Sequence, residues 1–385
     1  MTPAARVQAA IEVLDDMRTG VAAEQALTRW ARRSRFAGSK DRAAVRDHVF
    51  DVLRRRRAAA AYGGDDTGRA LMLGLLRLDD VALSEVFTGQ GHAPAALAAG
   101  ELPPDPELSQ GAAWNLPDWL MPEFARALGP DAEDVVLALQ SRAPVSLRVN
   151  TRRIARDAAR DLLAGEEIDT RPNPLASAAL TVMSGARKLR NSHVYTDGLV
   201  ELQDAASQAV VADLPPGGRV LDYCAGGGGK SLALAMDATR EVFAHDADPG
   251  RMKDLAPRAV RARTPVREVT GGDLDGLAPF DLVLCDAPCS GSGSWRRAPE
   301  GKWTLTPERL AELNAVQDEI LRRAATLVGP AGRLVYVTCS VLACENDDRI
   351  AAFLTDHPEW RLTHRRRFLP DTHGDGFFAA HLTQE

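Results

Sequence analysis

The apolar positions of the first sixty residues recur at three- and four-residue spacing: Val7, Ile11 and Leu14 in one run, Val45, Val49, Val52 and Leu53 in another. That period lines one face of a helix, so the segment predicts helices, the first stopped by Gly20 and the third begun at Ser39 and Asp41. Leu71, Leu75 and Leu78 continue the pattern, a Pro/Gly/Ala-rich stretch around residues 89–106 predicts a loop or lid, and the bundle ends near residue 138. Residues 144–202 alternate instead, with SLRVN, a short helical ARDAARDLLA, an apolar ALTV and GLVELQD, which predicts a small α+β module. From residue 203 the apolar runs GRVLDYC, EVFAHD, FDLVLCD and GRLVYVTC alternate with helical stretches, the pattern of a parallel α/β sheet. Leu310, Leu313, Ile320, Leu321, Ala324 and Leu327 line one side of a crossover helix near residues 307–328. The expected domains are therefore 1–138 (all α), 139–202 (small α+β) and 203–385 (α/β).

A chain of 385 residues has room for two or three such domains. No apolar run approaches a membrane span, and Asp15 and Asp16 fall where a secretory leader would need unbroken apolar sequence, so a cytoplasmic protein with no membrane association is expected. The net charge of -6 argues against a nucleic-acid binder until it is divided by segment. Residues 1–60 hold 13 Lys/Arg against 7 Asp/Glu, residues 61–140 hold 3 against 13, and residues 141–200 hold 10 against 6. Two basic blocks flank an acidic one, and a phosphate backbone responds to local charge within a Debye length of about 8 Å. On charge alone, these blocks are as readily solvated helix faces.

Ligands of an open parallel sheet bind beyond the carboxyl ends of its strands. The first strand end here reads Asp222-Tyr223-Cys224-Ala225-Gly226-Gly227-Gly228-Gly229-Lys230-Ser231. Glycines at a strand-to-helix turn allow close backbone approach to a ligand. A phosphate-cradling loop fails because Cys224 stands where its first glycine belongs, and a dinucleotide fingerprint fits Gly226 and Gly228 but meets Ser231 where Gly or Ala is needed. An S-adenosylmethionine loop, with Asp246 on the ribose hydroxyls, is the third reading.

The next strand ends deliver Cys285-Asp286-Ala287-Pro288-Cys289-Ser290-Gly291 and Thr338-Cys339-Ser340. All five cysteines follow residue 223, an odd number without the framework of a disulfide-rich domain, so thiol chemistry outranks disulfides. Buried inert thiols are one alternative and a zinc site another, but the histidines lack ligand spacing and no metal is expected. A methyl-transfer site has use for a thiol: carbon 5 of cytosine becomes nucleophilic only once a thiolate has added at carbon 6. Such a thiolate needs local positive potential, for which Lys230 is a candidate. Asp286 and a second cysteine are candidates for the proton transfers.

Taken with Gln203-Asp204-Ala205-Ala206-Ser207, these motifs closely resemble the bacterial RsmB/Sun-type (NOL1/NOP2/Sun) RNA cytosine-C5 methyltransferases. The likeness extends to SLRVNTRR at 146–153, Arg296-Arg297-Ala298-Pro299-Glu300-Gly301-Lys302-Trp303, Glu345-Asn346 and GDGFFAAHL near the C-terminus. The resemblance implies a Rossmann-like S-adenosylmethionine methyltransferase domain, an all-α NusB-like RNA-binding domain, which the basic N-terminus resembles most in Gly38–Ala43 and the helix after it, and an RRM-like companion. It implies Cys339 as nucleophile and Cys289 as the thiol that assists release. Cys224, Ala225, Gly226, Gly227, Gly228, Gly229, Lys230, Asp246, Arg251, Asp273 and Asp286 would line the cofactor site, with helix capping as the competing role for Asp246 and Asp273. The expected substrate is 16S ribosomal RNA and the expected state a monomer. Transfer RNA, or a non-catalytic ribosome-assembly role, are the alternatives. One departure stands out: relatives carry Ala-Pro where this chain has Gly226-Gly227, which would loosen the loop wherever no positive φ is needed.

Overall fold

The computed structural model describes residues 1–384, which divide into two compact units. The first comprises Met1–Arg142 together with Trp295–Thr304. Its helices Pro3–Arg18, Ala23–Arg33, Ser39–Arg54 and Gly68–Leu78 bury the periodic residues Val7, Ile11, Leu14, Val45, Val49, Val52, Leu71 and Leu75. The first helix starts where its N-cap Thr2 accepts through Oγ1 from Ala5 N at 3.1 Å, and the third where Asp41, in the first turn, reaches back to accept from the N-cap Gly38 N at 3.3 Å. No helix forms between Val86 and Gln110. That stretch is a loop held down by the Arg69–Glu101 and Arg77–Asp105 ion pairs rather than a free lid.

The segment Trp295–Thr304, expected within the α/β domain, belongs instead to this helical unit. Trp303 Nε1 donates to Leu53 O at 2.7 Å, Arg54 Nε donates to Arg296 O at 2.7 Å, and the Trp295 ring stacks 5.9 Å from that of Phe124. The two tryptophans and their buried neighbours supply apolar area that helices of this length need for stability.

The second unit, Ala143–Ser294 with Leu305–Glu385, opens with an antiparallel sheet of four strands: β1 (Val145–Val149), β2 (Thr170–Pro172), β3 (Ala179–Val182) and β4 (Val200–Leu202). Their order, β2-β3-β1-β4, with helices Arg156–Gly165 and His193–Thr196 in the connections, is that of a ferredoxin-like βαββαβ module over a core of Leu147, Val149, Leu163, Ile168 and Leu180.

Seven strands follow: β5 (Gly218–Asp222), β6 (Arg240–Ala244), β7 (Arg267–Glu268), β8 (Phe280–Asp286), β9 (Val328–Thr338), β10 (Trp360–Phe368) and β11 (Phe377–Gln384), in the order β10-β11-β9-β8-β5-β6-β7. The five strands β5–β9 form the expected parallel α/β sheet, and β11 runs antiparallel between β9 and β10, an addition that makes the sheet mixed. The cause is the return from Phe368 to Phe377, a hairpin connection too short for a crossover helix. Helix Pro307–Ala325 is the expected crossover and buries Leu310, Leu313, Leu321 and Ala324. The chain leaves β5 toward β6 and β7, then returns to β8 on the other side of β5. That reversal opens a crevice at the carboxyl ends of β5 and β8. Among the described residues, no helix is long and apolar enough to cross a membrane.

Candidate active site

At the carboxyl end of β5 the glycine loop is shaped by two left-handed residues, Gly226 (φ +51°) and Gly228 (φ +79°). A Cβ on Gly228 would lie 2.2 Å from Leu255 Cδ1, and the left-handed backbone itself favours glycine there. Gly226 also needs its glycine conformation, and only Gly227 remains open to the loosening expected from the Ala-Pro departure. The loop is anchored on both sides. Asp246, at the end of β6, accepts from Gly226 N at 2.9 Å and from Asp248 N at 3.0 Å, with the Arg251 guanidinium 3.4 Å away. Buried Arg148 donates to Gly229 O at 2.8 Å and to the Gln203 side chain, whose amide in turn donates to Gly229 O at 3.3 Å. The Gln203 motif thus braces the loop.

Asp246 therefore ties two loops together rather than capping a helix. Asp273 differs: it is exposed and accepts from Thr270 N at 2.9 Å and Thr270 Oγ1 at 2.7 Å, capping the Gly271–Asp273 turn. The Thr270 hydroxyl holds its carboxyl below the usual range. Of the two roles weighed for Asp273, the structure displays the cap, in a turn beside His245.

Asp222 is fully buried and accepts from Ser231 Oγ at 2.6 Å, while its Oδ1 has no partner. Burial pushes its carboxyl up to about 7. An orphaned buried acceptor costs about 1–3 kcal/mol.

The parallel pairing of β8 with β9, Asp286 opposite Val337, carries the two cysteine loops to one place. Cys289 Sγ and Cys339 Sγ stand 3.5 Å apart. Lys230, buried, places Nζ 2.7 Å from Asp286 Oδ2 and 4.9 Å from the centre of the Phe377 ring. Burial alone would lower the Lys230 pKa, but the Asp286 charge and hydrogen bond, with Cys339 beside it, hold it above the usual value. The thiols are not equivalent. The hydrogen bond from Cys289 lowers the Cys339 pKa against the effect of burial, and Lys230 and Ser294 add to the lowering. The same bond, burial and the Glu345 carboxylate raise Cys289. The bond between them thus favours deprotonation of Cys339 over that of Cys289. Cys224 and Cys285 are raised as well, chiefly by burial, and stay inert thiols.

The sequence reading missed what holds the pair in register. Glu345 is fully buried; one oxygen accepts from Ser290 N at 2.7 Å and Gln317 Nε2 at 3.2 Å, and the other from the hydroxyls of Ser290 and Ser340. Ser290 follows Cys289 and Ser340 follows Cys339, so one carboxylate grips both loops. Asn346 completes the clamp, donating to Ser340 O at 2.9 Å and accepting from Thr338 Oγ1 at 2.6 Å. The available signal was a serine directly after each cysteine.

Residues 209–383 match the family model for the 16S rRNA methyltransferase RsmB/F, and residues 116–187 match the RsmF/B-like ferredoxin-like domain. The chain is 33% identical over 288 residues to ribosomal RNA small subunit methyltransferase B of Yersinia pestis bv. Antiqua (strain Angola), covering 70% of this chain and 66% of that protein. The corresponding protein of Photorhabdus laumondii matches equally, at 33% over 287 residues, with 70% and 66% covered. The match thus spans just under two thirds of the length of these relatives. The fold is shared with the crystal structure of PH0851 (24% identity, TM-score 0.78, 100% of this chain and 99% of that one) and with NSun6 from Pyrococcus horikoshii with SFG (17%, 0.62, 70% and 98%). S-adenosylmethionine is the methyl donor of these Rossmann-like methyltransferases, and the site suits it: the Asp222 oxygen behind the loop is an unpaired acceptor, and the side-chain-free run Gly226–Gly229 allows close approach to the backbone at the carboxyl end of β5. Two domain models naming one group, and curated relatives carrying the same name, place the chain in the RsmB/F family of methyltransferases.

Proposed function

We propose that the protein methylates carbon 5 of a cytosine in 16S ribosomal RNA through a covalent adduct on Cys339. The observation that carries this reading is the pair of thiols at 3.5 Å with opposed pKa shifts, one beside Lys230 and the other beside Glu345. Bound S-adenosylmethionine supplies an electrophilic methyl group; the loop Cys224–Lys230, with Asp246, Arg251, Asp273 and Asp286, lines its site. The Cys339 thiolate adds to carbon 6 of the ring, forming the S–C bond and pushing electron density onto carbon 5. The Lys230–Asp286 pair faces the ring edge, where the ammonium stabilises charge at N3 and the carboxylate accepts from the exocyclic amine. Once carbon 5 carries the methyl group, its proton passes to a base at the site or to water, the C6–S bond breaks and the Cys339 thiolate returns. Cys289 assists that release. The relatives' names supply the 16S substrate. Two competent thiols at hydrogen-bond distance argue against a purely non-catalytic assembly role.

The test is transfer of labelled methyl groups to ribosomal RNA. Cys339→Ala is expected to abolish transfer, and Cys289→Ala to trap a protein–RNA adduct that survives denaturation. Methylation by Cys339→Ala would overturn the mechanism.

A further inference from the structure

The helical unit neutralises most of its positive charge. Arg6, Arg29, Arg46, Arg55, Arg69 and Arg77 each lie within 3.7 Å of a carboxylate, and so do the other paired arginines of residues 1–142. Among the described residues of that stretch, the cations without a carboxylate partner are Arg32, Arg33, Arg35, Lys40 and Arg42. These five are consecutive among the chain's cations, all exposed, and they surround the turn between helices Ala23–Arg33 and Ser39–Arg54. The nearest acid in sequence, Asp41, is turned inward onto Arg6. In the middle of this turn stands Phe36, 77% exposed. It borders a cleft of about 810 Å³ also lined by Trp30, Ser34, Gln90 and His92.

Left bare, this arrangement is unfavourable twice over: like charges repel, and an aromatic ring sits in water. Both penalties vanish against one chemistry, a polyanion that carries flat apolar rings. We infer that this turn is the docking point for an unpaired nucleotide of structured RNA, with Phe36 stacked on the base and the flanking cations on the adjoining phosphates. Ser34, Gln90 and His92 then offer hydrogen-bonding groups to the base edge. An anionic membrane fits less well, because among the described residues Phe36 is the one large apolar side chain exposed at this turn, too little for an apolar face. The inference rests on the RNA reading above and specifies which part of the RNA is gripped.

The experiment measures binding of the full chain to two fluorescent RNAs by anisotropy: a hairpin with an unpaired loop, and a blunt duplex of the same stem. Phe36→Ala is expected to weaken loop binding about tenfold, since stacking contributes about 1–3 kcal/mol per base, and to leave duplex binding unchanged. Phe36→Tyr should restore it. The double variant Arg33→Gln, Arg35→Gln should weaken both and flatten the salt dependence by about 0.7–0.9 in log–log slope per lost phosphate contact. Unchanged loop binding by Phe36→Ala, equal loss on both RNAs, or Phe36-dependent binding to phosphatidylserine vesicles in place of RNA would each overturn the inference. Methyl transfer is measured on the same preparations. A wild type that binds the loop without methylating sinks the enzymatic reading alone; one that methylates while Phe36→Ala binds normally sinks this one alone.

Discussion

Lys302 invites a test in which the sign of a mutation reverses with pH. Its side chain is 1% exposed, Nζ donates to Arg54 O at 2.8 Å, and among the described residues no carboxylate pairs with it. Burial, and secondarily the Arg54 guanidinium, push its pKa down to about 7. An unfolded lysine titrates near 10.4, so between the two values the unfolded chain binds a proton that the folded one does not. Stability therefore rises with pH through that window, by about 1.4 kcal/mol per unit and about 4–5 kcal/mol in total; the penalty is fully present below pH 7 and gone above roughly pH 10.5. Lys302→Met removes the penalty but leaves the Arg54 carbonyl without its donor, a loss of about 1–3 kcal/mol. At pH 7 the variant should be more stable by about 1–3 kcal/mol, and at pH 10.5 less stable by a similar amount. Urea melts followed by tryptophan fluorescence at each pH unit from 6 to 10.5 would show the crossing. Parallel stability curves for the two proteins would refute the reasoning, since titrations common to both cancel in the difference.

Two further perturbations address the thiol pair. Glu345→Gln turns an amide donor toward groups that already donate, and should lower stability by about 3 kcal/mol, read as a lower Tm, given about 1.5–3 kcal/mol for each hydrogen bond to a charged acceptor. It also removes the carboxylate that raises Cys289, so alkylation of Cys289 at mildly alkaline pH should quicken; an unchanged Tm and alkylation rate would contradict the clamp. Lys230→Met should move the Cys339 thiolate midpoint upward, seen as a shift to higher pH in the iodoacetamide rate profile, and a fixed midpoint would show that Lys230 does not act on the thiol.

The chemistry was legible in the sequence where polar residues interrupt apolar runs. Asp222, Asp246, Asp286 and Cys339 each end or follow a buried strand, and strand ends in this fold share one crevice. Pairing of remote residues was not legible. Glu345 reads as an ordinary helix-start acid until Ser290 and Ser340 are brought against it by the β8–β9 register. The hairpin of β10 and β11 escaped because β10 is an edge strand whose exposed run Arg361–His364–Arg367 lacks apolar alternation. Arg365 and Arg367 are instead spent on Asp347. Segment charge also misled in part: most cations of the basic first block are engaged in internal ion pairs, and within that block only those of the Arg32–Arg42 stretch have no carboxylate partner.

The membership of Trp295–Thr304 in the helical unit bears on how the chain matures during translation. Trp295 and Lys302 are buried parts of that unit, yet they leave the ribosome long after its own last helix, Ala132–Gln140. The N-terminal helices therefore wait, incompletely packed, until β5 to β8 and the Cys289 loop have been synthesised. A nascent chain arrested before residue 304 should carry a protease-sensitive N-terminal region, so that this region reaches its final packing only in molecules that already hold one of the two thiols.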